Sequence, residues 1–216
     1  MKLEIAALQR YISRREDNVV SSSGLSSMSH PQSKPQHAPP EIRRLWKSDR
    51  QLLIGHFLGL DPATRRLRFG GLASDEFVIK YAENALSIGS VIFGAFIDDD
   101  LHGVAELRGL LKTWPWSAEV ALSVEPSWQH EGVGDALLNR LISAAQNRGV
   151  KKLHMQCLRE NRRMQNLAKK HDAVLHFDTG DVDATLATPW PTPMSVYAEL
   201  FGNTRRYLNT ASHMTD

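Results

Sequence analysis

The sequence predicts an α/β (α+β) protein in which helices flank a central sheet on both faces. Residues 89–97 and 101–110 are apolar, β-rich stretches separated by three aspartates, a pattern typical of an antiparallel hairpin. A third apolar stretch, 120–124, runs into a glycine-containing loop and then into a segment with helical periodicity. Because nearly every position of 120–124 is apolar, we expect this strand in the middle of the sheet, covered on both sides.

Two helices precede the hairpin, and their boundaries are marked by capping residues. Residues 49–60 and 75–86 have helical patterns, and Asp61 can cap a helical turn that has Pro62 at its first position. These elements place helical segments before the first strand of the hairpin.

After the central strand, helices and strands alternate. The helix that follows the glycines extends to about residue 148, where Gly149 is a suitable residue to end it. The later elements are a strand at 152–158, a helix at 161–170, a strand at 173–177 and a final strand at 184–188.

The segments outside this core differ in composition. Residues 1–17 form either a short amphipathic helix or a disordered tail. Residues 18–41 are predicted to be a disordered linker rich in serine and proline, because they contain too few large apolar side chains to offset the entropy of ordering. The folded domain is predicted at 42–190, with a C-terminal tail at 191–216.

Composition argues against several classes of protein. A net charge of +2, from 26 basic and 24 acidic residues, gives no strong case for a nucleic-acid partner. No apolar run approaches the roughly 18 residues that span a bilayer, and we expect a cytoplasmic protein with no membrane partner. The single cysteine excludes an internal disulfide, and the histidine spacing predicts no metal site.

The loop after the central strand carries the most specific motif. Gln129, Gly132 and Gly134 have the spacing Gln-x-x-Gly-x-Gly, and the loop opens directly into a helix. The first amides of a helix have no intrahelical acceptor and can bind a phosphate. A Rossmann fingerprint fits poorly because position 137 is leucine, and a Walker A loop lacks its Gly-Lys-Ser/Thr.

This arrangement resembles the acyl-CoA pyrophosphate loop of the GNAT superfamily of N-acetyltransferases, and the resemblance covers about residues 45–188. It implies a mixed, mostly antiparallel sheet with a splayed, V-shaped gap between two central strands. It also implies acetyl-CoA as co-substrate. The residues that would then contact the pyrophosphate are Gln129, His130, Glu131, Gly132, Val133, Gly134 and Asp135.

The resemblance assigns further roles along the central strand. The backbone of Leu122, Ser123 and Val124 would bind the pantetheine arm, and the Val124 N–H would also polarise the thioester carbonyl. Glu119, at the start of the strand, would act as the general base that deprotonates the attacking amine. Glu106 and Glu125 are weaker candidates for that base.

The next helix supplies one more candidate and two departures from the family pattern. Asn161 would contact the CoA arm as well as capping the helix. Many relatives carry a tyrosine seven residues later that protonates the leaving thiolate, and here that position is Ala168. The acidic Glu131 and Asp135 are also unusual beside a pyrophosphate, since each should weaken its binding.

Three functions therefore remain open. The first is an N-acetyltransferase whose acceptor is a protein lysine, a polyamine or another small amine. A homodimer is a possible oligomeric state for this enzyme. The second is a non-catalytic acyl-CoA-binding module of the same fold. The third is a nucleic-acid-binding protein in which the loop is only a structural turn. Trp114 and Trp116, in the loop before the central strand, are either an acceptor wall or loop anchors.

Overall fold

The computed structural model describes residues 39–109 and 116–201. One sheet organises them, with the strand order β1-β2-β3-β4-β5-β7-β6. Only β4 and β5 run parallel, and every other neighbouring pair is antiparallel. The strands are β1 (Glu41–Arg44), β2 (Val91–Ile97), β3 (Asp100–Arg108), β4 (Ser117–Val124), β5 (Lys152–Leu158), β6 (Val174–Phe177) and β7 (Asp181–Ala187).

Helices cover both faces of this sheet, as the sequence predicts. They are α1 (Arg50–Leu58), α2 (Pro62–Phe69), α3 (Asp75–Ala85), α4 (Val133–Asn147), α5 (Arg162–Lys170) and α6 (Pro193–Phe201). On one face, α4 and part of α5 pack on alternate residues of the central strands and form the larger apolar core. On the other face, α1 and α3 bury the intervening residues of β2 and β3 in a second core.

The N-terminal edge of the sheet is a strand that the sequence analysis did not predict. β1 begins at Glu41, where the linker was predicted to end, and it pairs with β2. The guanidinium of Arg43 lies 4.1 Å from the Phe96 ring centroid and pairs with Asp49 at 3.1 Å. Charged side chains of this kind suit an edge strand, because they discourage pairing with other chains. The predictions for 1–38 lie outside the described residues.

The C-terminal end contains a helix where the sequence analysis predicted only a tail. α6 begins with a reciprocal cap, in which the Ser195 N–H donates to Thr192 Oγ1 and the Thr192 N–H donates to Ser195 Oγ, each at 3.0 Å. Glu199 then accepts hydrogen bonds from Asn147 at 2.6 Å and from Arg148 at 2.7 Å. These contacts attach α6 to the end of α4.

The feature that positions the site is a separation of the two central strands. β4 and β5 pair at three positions, from Ser117–Lys152 to Glu119–His154, and within the described residues the pairing goes no further. Both strands nevertheless continue, β4 to Val124 and β5 to Leu158. They therefore diverge beyond Glu119 and leave a V-shaped gap, as the resemblance implies.

Candidate active site

A cavity of about 440 Å³ lies at this gap. Four parts of the chain line it: α2 on one side of the sheet, the end of β4, the glycine loop with the start of α4, and α5. α2 lies on the face of α1 and α3, whereas α4 and α5 lie on the opposite face. The cavity therefore passes through the opening between β4 and β5 and connects the two faces.

The glycine loop presents backbone amides to the cavity. Gly132 has φ of 80° and precedes α4, and His130 has φ of 67°. This left-handed conformation favours glycine and turns successive N–H groups toward a common point. The first intrahelical bond of α4 runs from the Ala136 N–H to the Gly132 carbonyl, so the preceding amides of the first turn lack intrahelical acceptors.

Gln129 fixes the loop to the end of β4. Its amide Nε2 donates to the Val124 carbonyl at 2.8 Å, while the residue also lines the cavity. We therefore interpret the Gln129 side chain as a brace for the loop, which positions the amides of Gly132 and Gly134.

The backbone of β4 divides its polar groups between β3 and the gap. The Glu125 N–H donates to the His102 carbonyl on β3 at 3.0 Å. Because successive residues of a strand point their amides to opposite sides, Ser123 also faces β3, and Leu122 and Val124 face the gap. The backbone groups that could hold an extended ligand are therefore those of Leu122 and Val124, whereas Ser123 contributes its hydroxyl.

The acidic Asp135, which the sequence analysis expected to weaken phosphate binding, is paired in the structure. Its carboxylate accepts from His171 Nε2 at 2.9 Å and lies 3.1 Å from Lys170 Nζ. Burial acts to raise the pKa of Asp135, but the hydrogen bonds and charges of Lys170 and His171 outweigh it and lower the pKa. The pairs also fasten the end of α5 to the start of α4.

α5 forms the opposite wall of the cavity. Asn161 caps this helix, since its Oδ1 accepts from the Met164 N–H at 3.1 Å, and it also lines the cavity. Arg163 and Lys170 line the same wall and place cations there. Ala168 is fully buried in the core and is not among the lining residues, so a side chain at that position faces away from the cavity.

The three glutamates considered as bases have different surroundings. Glu119 is exposed, occupies the last position at which β4 pairs with β5, and does not line the cavity. Glu106 is fully buried and accepts from Arg68, from Arg108 Nε at 2.9 Å and from the Tyr81 hydroxyl at 3.1 Å. Its lone pairs are thus committed to three donors, which suits a structural anchor for α2 better than a base.

The third glutamate, Glu125, belongs to a buried polar group beside the cavity. Its Oε2 lies 2.9 Å from His102 Nδ1, and its Oε1 lies 3.6 Å from His56 Nδ1. His56 Nε2 in turn lies 2.9 Å from the Ser123 hydroxyl. The sequence analysis missed His56, because only folding brings α1 against β4.

Most of the predicted ligand residues line the cavity together. They are Leu122, Ser123, Val124, Gln129, His130, Gly132, Gly134, Asp135 and Asn161. Two predicted residues do not: Val133 is buried in the core, and Glu131 is exposed at the loop surface. The sequence analysis missed Thr64, Leu67 and Arg68 of α2, although their i, i+3, i+4 spacing places them on one helix face.

The remaining features concern two tryptophans, metal ligands and membrane spans. Trp114 lies outside the described residues, and Trp116 is partly exposed, with its ring 3.2 Å from where a Cβ on Gly149 would lie. Among residues 39–109 and 116–201, no cluster of three or more histidine, cysteine, aspartate or glutamate residues could hold a metal. Over those same ranges, every helix falls short of the length and apolarity that a membrane span requires.

The fold and the cavity together have the architecture of an acyl-CoA-dependent acetyltransferase. Its parts are a split sheet, a helix N-terminus without a side-chain cap, and a cavity that joins them. The model of the acetyltransferase (GNAT) family matches residues 44–172. The chain therefore belongs to the GNAT family.

Solved structures agree with this fold. The GNAT domain of S. lividans PAT has a TM-score of 0.59 and 19% identity, over 72% of this chain and 99% of that one. The paia N-acetyltransferase from Thermoplasma acidophilum, solved with coenzyme A, has a TM-score of 0.53 and 20% identity, over 69% and 99%. Spermidine N-acetyltransferase from Vibrio cholerae, solved with CoA and spermine, has a TM-score of 0.56 and 16% identity, over 69% and 96%. A comparison with curated protein sequences found no significant match.

Proposed function

We propose that this protein transfers an acetyl group from acetyl-CoA to a primary amine, by direct attack of the amine in a ternary complex. The observation that carries the proposal is the cavity, which runs from the amides of the glycine loop through the split between β4 and β5. A donor entering on the α4 face and an acceptor entering on the α2 face would meet at the gap.

The residues present fit the donor. A Cβ built on Gly132 meets no atom within 4 Å, so the loop leaves open space over its amides. Those amides and the start of α4 suit a diphosphate, and Arg163 adds positive charge on the facing wall, where Lys170 offsets the charge of Asp135. The backbone of Leu122 and Val124 would bind the pantetheine as an added strand would.

The chemistry needs a polarised carbonyl and a neutral amine. The Val124 N–H, which points into the gap, would donate to the thioester oxygen as negative charge develops there. Glu119 remains the sequence-based prediction for the general base. Since Ala168 faces the core, the thiolate would take its proton from solvent.

Two structural neighbours have names that indicate amine acceptors. One structural neighbour is named a spermidine N-acetyltransferase, and another, from Brucella melitensis, a ribosomal-protein-alanine N-acetyltransferase. We therefore propose a protein amine, a polyamine or another small amine as the acceptor. Measurement of the molecular mass in solution would show whether the protein forms a homodimer.

Calorimetric titration with acetyl-CoA tests the donor half of the proposal. We expect saturable binding to the wild-type protein and none to Gly132→Glu. The new carboxylate would repel the phosphates, and the left-handed φ at this position would strain a residue other than glycine. A panel of amines then tests transfer by the release of free thiol. Binding without transfer to any amine would favour the non-catalytic module, and no binding would refute both. Affinity for DNA or RNA that falls steeply with salt, without CoA binding, would favour the nucleic-acid alternative.

A further inference from the structure

A line of polar side chains leads from the cavity wall into the protein. Ser123 lines the cavity, and its Oγ lies 2.9 Å from Nε2 of His56 on α1. His56 is fully buried, in contact with the aromatic ring of Phe57. A buried imidazole costs free energy unless both ring nitrogens have polar neighbours, so this position demands a specific arrangement around it.

The line of polar side chains continues beyond His56 to Glu125 and His102. His56 Nδ1 lies 3.6 Å from Glu125 Oε1, and Glu125 Oε2 lies 2.9 Å from Nδ1 of His102. The His102 ring packs at a tilt of 33° against the Trp128 ring, with centroids 4.8 Å apart, and the His102 side chain is 15% exposed. Ser123, His56, Glu125 and His102, which we call the relay, thus connect the cavity with solvent.

We propose that the relay takes the proton from the acceptor amine, with Ser123 as the group that touches the substrate; this rests on the proposed acetyl transfer. The acceptor arrives as an ammonium ion, which gives one proton to Ser123 Oγ while the hydroxyl proton moves to His56 Nε2. The freed nitrogen lone pair forms the C–N bond, the C–S bond breaks, and its electron pair leaves on the CoA sulfur. The nitrogen then loses a second proton to solvent and the thiolate gains one from solvent, so the reaction releases one proton, the one taken by His56.

The neighbours of His56 support the direction of transfer. A proton on Nε2 makes the ring an imidazolium, which faces the Glu125 carboxylate across 3.6 Å in a poorly solvated site. After the transfer, the Nε2 proton returns through Ser123 to water in the cavity, which restores the ring protonated on Nδ1, while His102 holds the other oxygen of Glu125. His56, Glu125 and His102 here are positioning residues, because only Ser123 reaches the substrate.

The other acidic groups are placed less well for this step. Glu106 is engaged by Arg68, Arg108 and Tyr81, and Glu119 does not line the cavity. Burial, followed by the charge of Glu106, raises the pKa of the Tyr81 phenol, so this group stays a donor.

The first test is independent of turnover. The relay requires His56 to carry its proton on Nδ1 and to accept the Ser123 hydroxyl proton at Nε2. Nitrogen NMR of the full-length protein labelled in histidine reads this tautomer directly, with His56→Gln used to assign the signal. A proton on Nε2 in the neutral ring would mean that His56 donates to Ser123, and it would overturn the proposal.

The second test compares acceptors of different basicity in single-turnover acetyl transfer. For Ser123→Ala we expect a loss of about 10²–10⁴-fold with spermidine, which must be deprotonated. With hydroxylamine, which is already neutral, we expect a loss of less than about tenfold, because the reaction then needs little help from a base. Acetyl-CoA affinity, measured by calorimetry, should be unchanged.

Matched variants separate a proton role from a structural one. Ser90→Ala removes a hydroxyl that donates to the Ala85 carbonyl at 2.6 Å, away from the cavity, and should leave both acceptors unaffected. Equal losses with both amines in Ser123→Ala would indicate only disturbed packing and would overturn the relay. An amine-selective loss in Glu119→Gln, with none in Ser123→Ala, would assign the base to Glu119 and also overturn it.

The two proposals fail in different ways. If the wild-type protein binds acetyl-CoA but acetylates no amine, the proposed function fails and the relay falls with it. If the wild-type protein acetylates spermidine and Ser123→Ala does so equally well, only the relay is refuted.

Discussion

Substitution of Gly134 by alanine should stabilise the fold and weaken binding of the cofactor. Gly134 is the second residue of α4, and a Cβ there would lie 3.6 Å from Leu167 Cδ2 and 3.9 Å from Val124 Cγ2, which are ordinary contacts. Its φ does not require glycine. Alanine should therefore raise the free energy of unfolding by about 0.5–1 kcal/mol, because the unfolded chain has less entropy than with glycine. Each kcal/mol corresponds to a rise of about 2–4 °C in Tm. Gly134, Leu167 and Val124 all line the cavity, so the same methyl group would occupy part of the space proposed for the cofactor.

Gly132→Ala is the matched control, because it makes the same change two residues earlier. At φ of 80° the left-handed backbone penalises a Cβ by about 1–2 kcal/mol, so this variant should unfold earlier than wild type. Thermal unfolding without ligand gives the two opposite shifts, and calorimetric titration with CoA gives the affinities. If Gly134→Ala bound CoA as tightly as wild type, the phosphates would not approach α4 at this residue and the proposed cradle would be refuted.

Three further predictions concern the surroundings of the cavity. Asp135→Asn should lower the free energy of unfolding by about 1–2 kcal/mol near neutral pH. Because the pKa of Asp135 is lowered in the folded state, this contribution is present above the unfolded-state pKa and is lost as pH falls through the folded-state pKa. Urea unfolding should therefore give the same stability for the two proteins in acid. Asp61→Ala removes the cap that accepts from the N–H groups of Ala63 and Thr64, and should cost about 0.5–2 kcal/mol by the same assay, with Asp61→Asn retaining most of the stability. Burial, then the charges of Asp181 and Asp183, raise the pKa of the Cys157 thiol, so an aromatic disulfide reagent should react with it slowly until urea unfolds the chain; fast reaction of the folded protein would contradict the described burial.

The features that could be predicted from the sequence are those with a local cause. The hairpin of β2 and β3 follows from two apolar runs around a turn, and the end of α4 follows from Gly149 with φ of 70°. β1 was missed because its four residues, half-buried and mostly charged, acquire strand structure only by pairing with β2. α6 did have a local signal, the Thr192–Ser195 cap, which the sequence analysis overlooked.

The candidate site also contains groups with a local cause and groups that only folding brings together. The amides near Gly132 and the gap-facing backbone of Val124 depend on the path of neighbouring residues, so a short motif was enough to predict them. The relay joins His56 to Ser123 across 67 positions of sequence, and no periodicity or spacing links them. Their proximity requires α1 to pack on the sheet first.

This division has a consequence for how substitutions act. In the proposed function, the donor is held mainly by main-chain groups, which side-chain changes disturb only by adding bulk or charge, as at Gly132 and Gly134. In the proposed relay, the proton is handled by buried side chains, so removal of a single oxygen from Ser123 should impair transfer while the donor still binds. Loss of transfer with retained binding is therefore the expected signature on the face covered by α1 and α2, and loss of binding the expected signature on the face covered by α4 and α5.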